Sequence, residues 1–109
     1  MGGNILKDYD MAGGGTTTSP TQVGRLTNVK LIGLQITGAS LNAADASFQV
    51  QHSIDGVNFD DISGATGTIA QNGSDVIAIT NFVGEFLQVV ITEGNVTSGT
   101  LNIWMSCKI

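Results

Sequence analysis

The segment at residues 47–54 alternates strictly between apolar and polar side chains over most of its length, and this two-residue period constrains the fold most strongly. The apolar side chains that share one face are Phe48, Val50 and Ile54. Such alternation is typical of a β-strand that buries one face and exposes the other. Asp55-Gly56 follows at once, and glycine readily adopts the positive φ that a tight turn requires. The sequence therefore predicts a half-buried strand that ends in a turn.

Several further segments have a strand-like composition, and none shows a helical period of useful length. The predicted strands lie at residues 29–37, 47–54, 57–62, 76–79, 85–92 and 100–108, with a short one at 68–70 inside a loop over 64–73. Segment 85–92 is apolar on both faces, which predicts a central position in a sheet. Short strands joined by turns rich in Gly and Asn indicate an all-β fold, a single antiparallel β-sandwich. Periodicity does not decide between a jelly roll and an immunoglobulin-like strand order.

Residues 1–24 differ in composition from the rest of the chain. They contain the low-complexity run GGGTTTSP at residues 13–20, which no hydrophobic core would select. We predict a flexible N-terminal arm over residues 1–24 and a β-sandwich domain over 25–109, since 109 residues leave room for one domain. The arm either stays disordered, as chain termini often do, or becomes ordered on a neighbouring molecule. In the second case its anchors would be Ile5, Leu6, Tyr9 and Met11.

The chain carries a net charge of −5, from 9 acidic and 4 basic side chains. Four scattered cations cannot neutralise a run of phosphates, so we expect no binding to nucleic acid or to an anionic membrane. No apolar run approaches the roughly 20 residues of a membrane-spanning helix, and no secretory signal is visible. Charged residues make up 12% of the chain, against a usual globular fraction of roughly 25%. The surface is therefore either rich in uncharged polar residues or covered by partners.

Histidine and cysteine, which often take part in catalysis, each occur once. His52 falls on the inward side of its strand and Ser53 on the opposite side, so the two cannot form a nucleophile–base pair. Cys107 shares the apolar face of the last strand and is predicted to be a small buried hydrophobic residue. One histidine and one cysteine also cannot build a zinc site within the chain. We predict that the protein is not an enzyme and needs no cofactor.

The segment DGVNFDD at residues 55–61 is a candidate metal site. Its oxygen donors, which could together hold a calcium ion, are Asp55, Asn58, Asp60 and Asp61. The spacing departs from the EF-hand pattern, because Gly56 directly follows the first Asp and no Glu closes a twelve-residue loop. Alternatively, Asp55-Gly56 forms the turn and the other donors face solvent. A carboxylate pair for glycoside hydrolysis is also conceivable here, although no aromatic cleft accompanies it.

Trp104 lies on the outward side of the last predicted strand, beside Asn102 and Ser106. A flat aromatic ring next to hydrogen-bonding side chains could bind a sugar. It could equally pack under the N-terminal arm or against another subunit, and tryptophan is enriched at protein interfaces. We favour a contact with protein, and name Trp104 and Asn102 as interface or ligand residues.

Three segments carry a resemblance to a known class of proteins. They are FQVQHSIDGVNF at residues 48–59, GEFLQVVI at 84–91 and GTLNI at 99–103. In this order they resemble the strands of small β-sandwich virion proteins of bacteriophages, over about residues 30–108. The same pattern occurs in discoidin-like and carbohydrate-binding sandwiches, although the rim of aromatic and basic residues found in the sugar-binding families is missing here.

The resemblance implies a structural protein of the virion, such as a head-decoration, spike or fibre-base subunit. Its partners would be further copies of itself, with a trimer expected, and neighbouring capsid or spike proteins. A subunit that buries much of its surface against copies of itself needs few charges. The alternative is a carbohydrate-binding module for a cell-surface glycan of the host, with Trp104 and the loop at 55–61 as its site. A small hydrolase is the third reading.

Overall fold

A computed structural model of the chain shows two antiparallel four-stranded sheets. The structure describes residues 2–11, 16–18 and 29–108, without the side chains of residues 2–8, 10 and 16–18. The first sheet contains, in spatial order, β1 (Gly2–Asp10), β8 (Thr100–Lys108), β3 (Leu31–Ala39) and β6 (Gly73–Ile79). The second contains β2 (Thr16–Thr18), β7 (Phe86–Thr92), β4 (Ser47–Ser53) and β5 (Asp60–Thr68). The predicted antiparallel all-β sandwich is confirmed.

The strand order is that of a jelly roll. The antiparallel pairs β1–β8, β2–β7, β3–β6 and β4–β5 are nested, so the chain resembles one long hairpin folded about the β4–β5 connection. Successive pairs alternate between the two sheets, and β3–β8 and β4–β7 contacts complete each sheet. This eight-stranded arrangement decides between the two strand orders that the sequence left open. Within the described residues, no helix is long and apolar enough to cross a membrane.

The core lies between the inward faces of the central strands. Every second residue of these strands is buried, as the alternating sequence requires. The main contributors are Ile32, Leu34 and Ile36 from β3, Phe48 and Val50 from β4, Leu87, Val89 and Ile91 from β7, and Leu101, Ile103 and Met105 from β8. β7 lies between β2 and β4, so its predicted central position is confirmed.

The predicted loop at residues 64–73 is wrong, because β5 continues to Thr68 and β6 already begins at Gly73. The segment contains three glycines, yet Gly64 and Gly67 lie within β5 and Gly73 begins β6. Gly67 lies opposite Phe48 of β4. A Cβ atom at position 67 would lie 3.0 Å from a ring carbon of Phe48. The glycine therefore allows the Phe48 ring to pack closely against the backbone of β5. Such a contact between distant residues cannot be predicted from the local sequence pattern.

The N-terminal segment forms two strands, in contrast to the expected arm. β1 pairs with β8 and β2 pairs with β7, so the sandwich begins well before residue 25. Of the predicted anchors, Met11 is fully buried in the core of its own chain, and Tyr9 packs against the same core. The Tyr9 hydroxyl donates a hydrogen bond to Oε2 of Glu93, at 3.2 Å. Ile5 and Leu6 lie in β1, but their side chains and residues 12–15 and 19–24 lie outside the described part.

Met11→Ala tests whether the N-terminal segment belongs to the sandwich. Removing a fully buried methionine side chain leaves a cavity, and such substitutions destabilise proteins by about 2–5 kcal/mol. We expect a loss in this range in urea unfolding of the full chain. Met11→Leu, which nearly conserves volume, should cost less than about 1.5 kcal/mol. A Met11→Ala variant as stable as the parent would restore the flexible-arm model.

Candidate functional site

The outward surface of the first sheet carries a patch of uncharged side chains that includes Trp104, and the charged residue Lys108 lies at the end of its row on β8. We call this patch the Trp104 face, and it consists of Gly33, Gln35 and Thr37 from β3, Ser74, Val76 and Ala78 from β6, and Asn102, Trp104 and Ser106 from β8. Its middle row runs across three strands, with Trp104 opposite Gln35 and Gln35 opposite Val76. Trp104 is 48% exposed and Val76 is 74% exposed. Large apolar side chains are thus presented to solvent.

The sequence places Trp104 outward through the period of β8. The neighbouring residues Ile103 and Met105 are buried in the core, and alternation leaves Trp104 on the opposite side. A depression of about 170 Å³ lies beside the indole, lined by Gln35, Val76 and Ser106 among others. The predicted outward position of Trp104 beside Asn102 and Ser106 is therefore what the structure shows. β1 extends the sheet edge to edge with β8, with Asn4 opposite Trp104.

The outward surface of the second sheet has a different character. A chain of side-chain hydrogen bonds crosses it, in which the Gln88 amide donates to Gln51 at 2.8 Å and the Gln51 amide donates to Asp61 at 2.9 Å. These polar groups already satisfy one another, and the row ends in a carboxylate. Displacing water from this surface is therefore less favourable than displacing it from the Trp104 face.

The loop after β4 is organised around the carboxylate of Asp55. It accepts hydrogen bonds from the backbone N–H groups of Asn58 and Val57, both at 2.8 Å, from the Asn58 amide at 2.8 Å and from the Ser53 hydroxyl at 2.9 Å. Gly56 takes a φ of 77°, which confirms the predicted turn. These donors favour the ionised carboxylate. The backbone N–H of Asn58, followed by that of Val57, therefore lowers the pKa of Asp55 well below its usual range.

This loop supports the turn interpretation rather than the calcium interpretation. Three donors share Oδ1 of Asp55 and the Asn58 amide reaches Oδ2, while Asp61 accepts from Gln51 on the outer surface of the second sheet. Asp60 lies opposite His52 at the start of β5, and Asn58 donates its amide to Asp55. Among the described residues, no group of three or more His, Cys, Asp or Glu side chains could hold a metal ion. The cluster of Asp and Asn residues at 55–61 is thus explained by the turn that Asp55 organises.

A cavity of about 400 Å³ opens beside the same loop. Its lining residues are His52, Ser53, Ile54, Asp55, Asn58, Asp60, Val83 and Gly84. The Nδ1 atom of His52 accepts a hydrogen bond from the Val83 backbone N–H at 3.3 Å. The Ser53 hydroxyl donates to Asp55 and accepts from the Gly56 N–H at 2.9 Å. Ser53 thus holds the Asp55 loop, and His52 holds the loop before β7. No hydrogen bond joins the two side chains as a nucleophile–base pair requires.

The structure separates the two parts of the predicted sugar site. Trp104 lies on the first sheet, whereas the loop at 55–61 follows the end of a strand in the second sheet. The depression beside Trp104 and the cavity beside the loop share no lining residue. Any ligand of the Trp104 face would therefore be bound by that face alone.

Cys107 is partly buried and packs against the edge of the core. Burial raises the pKa of its thiol, which keeps the sulfur protonated and poorly reactive at neutral pH. The structure thus agrees with its predicted role as a small hydrophobic residue, although its burial is incomplete.

Comparisons with known proteins show the fold and no family. No family model and no curated protein matches the chain. The structure of PirA is similar, with a TM-score of 0.63, 12% identity and 94% of each chain covered. Bacillus endospore appendages, described as disulfide-linked pili, match with a TM-score of 0.54 and 10% sequence identity. The match covers 96% of this chain and 81% of theirs. A chitosan-binding module from a Paenibacillus sp. IK-5 chitosanase/glucanase matches with a TM-score of 0.54 and 19% sequence identity. The match covers 90% of this chain and 74% of the module.

The fold is therefore shared with proteins of different roles. One neighbour belongs to a pilus and another to a carbohydrate-binding module, at identities of 10% and 19%. Likeness at this level establishes a β-sandwich of the kind used by structural and binding proteins. The function has to be argued from the surface of this chain.

Asp55→Ala should change how the stability of the protein depends on pH. Because the folded pKa of Asp55 lies below its unfolded value of about 3.9, the unfolded chain binds the proton first. The stabilisation is thus present above that value and is lost as the pH falls towards the folded pKa. We expect the urea midpoint of the parent to fall more between about pH 6 and about pH 3 than that of Asp55→Ala.

The matched control is Val57→Ala, which shortens an exposed side chain but keeps the backbone N–H that Asp55 accepts. This variant should retain the pH dependence of the parent. Equal loss of stability on acidification in all three proteins would contradict the assigned role of the Asp55 turn.

Proposed function

We propose that this chain is a non-enzymatic structural protein of a bacteriophage virion, a capsid-decoration, spike or fibre-base subunit. It acts through self-assembly and through contact with neighbouring capsid proteins. The observation that carries the proposal is the Trp104 face, nine uncharged residues on three adjacent strands, with a half-exposed tryptophan and an exposed valine on either side of Gln35.

The first support is the cost of removing water from this face. Burying apolar surface contributes about 25 cal/mol per Å², whereas an unpaired charge resists burial. Trp104 and Val76 offer apolar area, and their neighbours are amides, hydroxyls and small residues. Tryptophan also dominates the energetics of many protein interfaces. The face is therefore suited to a stable protein contact.

The second support is the distribution of charge. The chain has a net charge of −5, so its copies repel one another at long range. Asp45, Asp55, Asp60 and Asp61 lie in the loops and on β5, whereas Asp75 lies on β6 beside the Trp104 face, with a side chain that alternates to the opposite side from Val76. Contact through the Trp104 face brings none of these together directly. A low charged fraction of 12% is consistent with surface that is buried in an assembly.

The non-enzymatic part of the proposal is supported by the cavity beside the Asp55 loop. Its serine holds the Asp55 loop and its histidine holds the loop before β7 through hydrogen bonds, and the donors around Asp55 favour the ionised carboxylate. General acid–base catalysis requires groups that exchange a proton with a substrate near neutral pH. The pKa of Asp55 is instead lowered by its hydrogen bonds, so the carboxylate stays ionised near neutral pH and has no proton to donate.

A second candidate function is a carbohydrate-binding module. It is favoured by the exposed indole of Trp104 beside the amide side chain of Gln35, because sugars stack on aromatic rings and hydrogen-bond to amides. The likeness to a chitosan-binding module supports this candidate through the fold alone. Its ligand would be a glycan of the host surface, bound without the Asp55 loop.

Trp104→Ala separates these functions. For an assembly subunit we expect light scattering to give a stable homo-oligomer for the parent, and a lower mass for Trp104→Ala at the same concentration. Loss of a central interface tryptophan typically weakens association by more than about 10-fold. Val57→Ala, in an exposed loop away from the face, should keep the mass of the parent.

A parent that is monomeric at all concentrations would contradict self-assembly. Glycan-array binding by such a monomer, lost in Trp104→Ala and kept in Val57→Ala, would support the carbohydrate-binding module instead. Circular dichroism of each variant confirms that the sandwich remains folded.

A further inference from the structure

Four strands form the lateral edges of the two sheets, and three of them are poorly suited to further pairing. β1 has two register irregularities in its pairing with β8, and β2 is only 3 residues long. β5 contains an irregularity between its partners Gln49 and Gln51, and it begins with Asp60 and Asp61. Bulges, short strands and charges are the usual means by which proteins block unwanted strand pairing.

β6 differs from the other three edges. It pairs with β3 over all 7 residues of Gly73–Ile79 without an irregularity, and among the described residues it has a strand neighbour on that side alone. Most of its residues are exposed, including Val76 at 74%. It contains no proline or lysine, and Asp75 is its single charge. Its outer row of backbone N–H and C=O groups is therefore open to another strand.

We propose that β6 pairs with β6 of a second copy of this chain, antiparallel and centred on Val76, to join two first sheets into one continuous sheet of eight strands. This proposal deepens the proposed assembly function and depends on self-association. It concerns the edge of the sheet, whereas the Trp104 contact concerns its face.

The register follows from the strand itself. Val76 is the middle residue of β6, so a two-fold axis at Val76 pairs all 7 residues of each strand. In this register Val76 faces Val76 of the second copy, and Asp75 faces Ile77. An axis at Asp75 would instead place two carboxylates directly opposite each other, which is destabilising in a sheet. The choice of Val76 thus uses the full edge and avoids that repulsion.

A second copy is the partner that this edge suits. An axis perpendicular to the sheet keeps both Trp104 faces on the same side, and the middle row continues from Gln35 through two Val76 residues to the second Gln35. Five strand spacings of about 4.8 Å separate the two Trp104 residues, or about 24 Å. The pair would present two Trp104 faces in one plane, which increases avidity for a neighbouring protein layer.

Disulfide trapping tests the register directly. Residues opposite each other in an antiparallel pair have Cα atoms about 4.5–5.5 Å apart, within the range that a disulfide spans. We expect Val76→Cys to form a covalent dimer under mild oxidation at least about 10-fold faster than Val83→Cys. Val83 is the matched control, because it is 76% exposed and lies in the loop before β7.

The off-axis positions provide a second check on the register. Ser74→Cys mixed with Ala78→Cys should form a heterodimer faster than either variant forms a homodimer, since the two positions face each other. Cys107 is present in the parent and in every variant, so the parent reports its background. Equal rates for Val76→Cys and Val83→Cys would overturn the proposal.

Light scattering in the Trp104→Ala background separates the edge from the face. There we expect a dimer of twice the 11.2 kDa chain mass, which Val76→Lys reduces to a monomer and Val83→Lys leaves intact. A monomer in the Trp104→Ala background, or a trimer unaffected by Val76→Lys, would overturn edge pairing and leave the proposed function standing. A third outcome is that Val76→Lys dissociates the dimer while Trp104→Ala leaves the mass of the parent unchanged. This outcome would support edge pairing and contradict the role of the Trp104 face.

Discussion

The two-residue period of β3 and β8 is the constraint on which both the core and the surface depend. These strands pair along their whole length, so Leu34 and Met105 enter the core together while Gln35 and Trp104 leave it together. A slip of one residue in either strand would expose the core and bury the indole. The register that makes the sandwich stable therefore also creates the Trp104 face, and no separate device is needed to expose the tryptophan.

Two acidic side chains in the loops each accept several hydrogen bonds from the turn that contains or faces them. The Asp55 carboxylate accepts from two backbone N–H groups and two side chains, and the Asp45 carboxylate accepts from the backbone and the amide of Asn95. These carboxylates replace missing backbone partners in the turns. A charge used in this way stabilises a loop that connects strands.

Local patterns predicted the strands from 31 onward apart from most of β5, of which the strand expected at 57–62 covers the first three residues. They also predicted the outward position of Trp104 and the central position of β7, since each depends on side-chain alternation within one segment. Strand order could not be predicted in this way, because the nested pairs join residues far apart in the chain. β5 was missed because Gly67 is explained by the ring of Phe48 rather than by a turn. β1 was missed because an edge strand is stabilised by its neighbour, and its own composition shows little alternation. The turn at Asp55-Gly56 was placed correctly, while the hydrogen bonds that organise it required coordinates.

The Trp104 face and the β6 edge act in perpendicular directions, and this separation matters for assembly. An edge contact extends the first sheet within its own plane, and a two-fold edge contact closes after two copies. A face contact joins layers and leaves the edge untouched. One contact alone gives a closed pair or a simple stack, whereas both together allow a paired unit to sit on a neighbouring protein surface through two tryptophans. In the proposed assembly, dividing the binding energy between two weak surfaces would allow each contact to be weak alone and the two together to be strong.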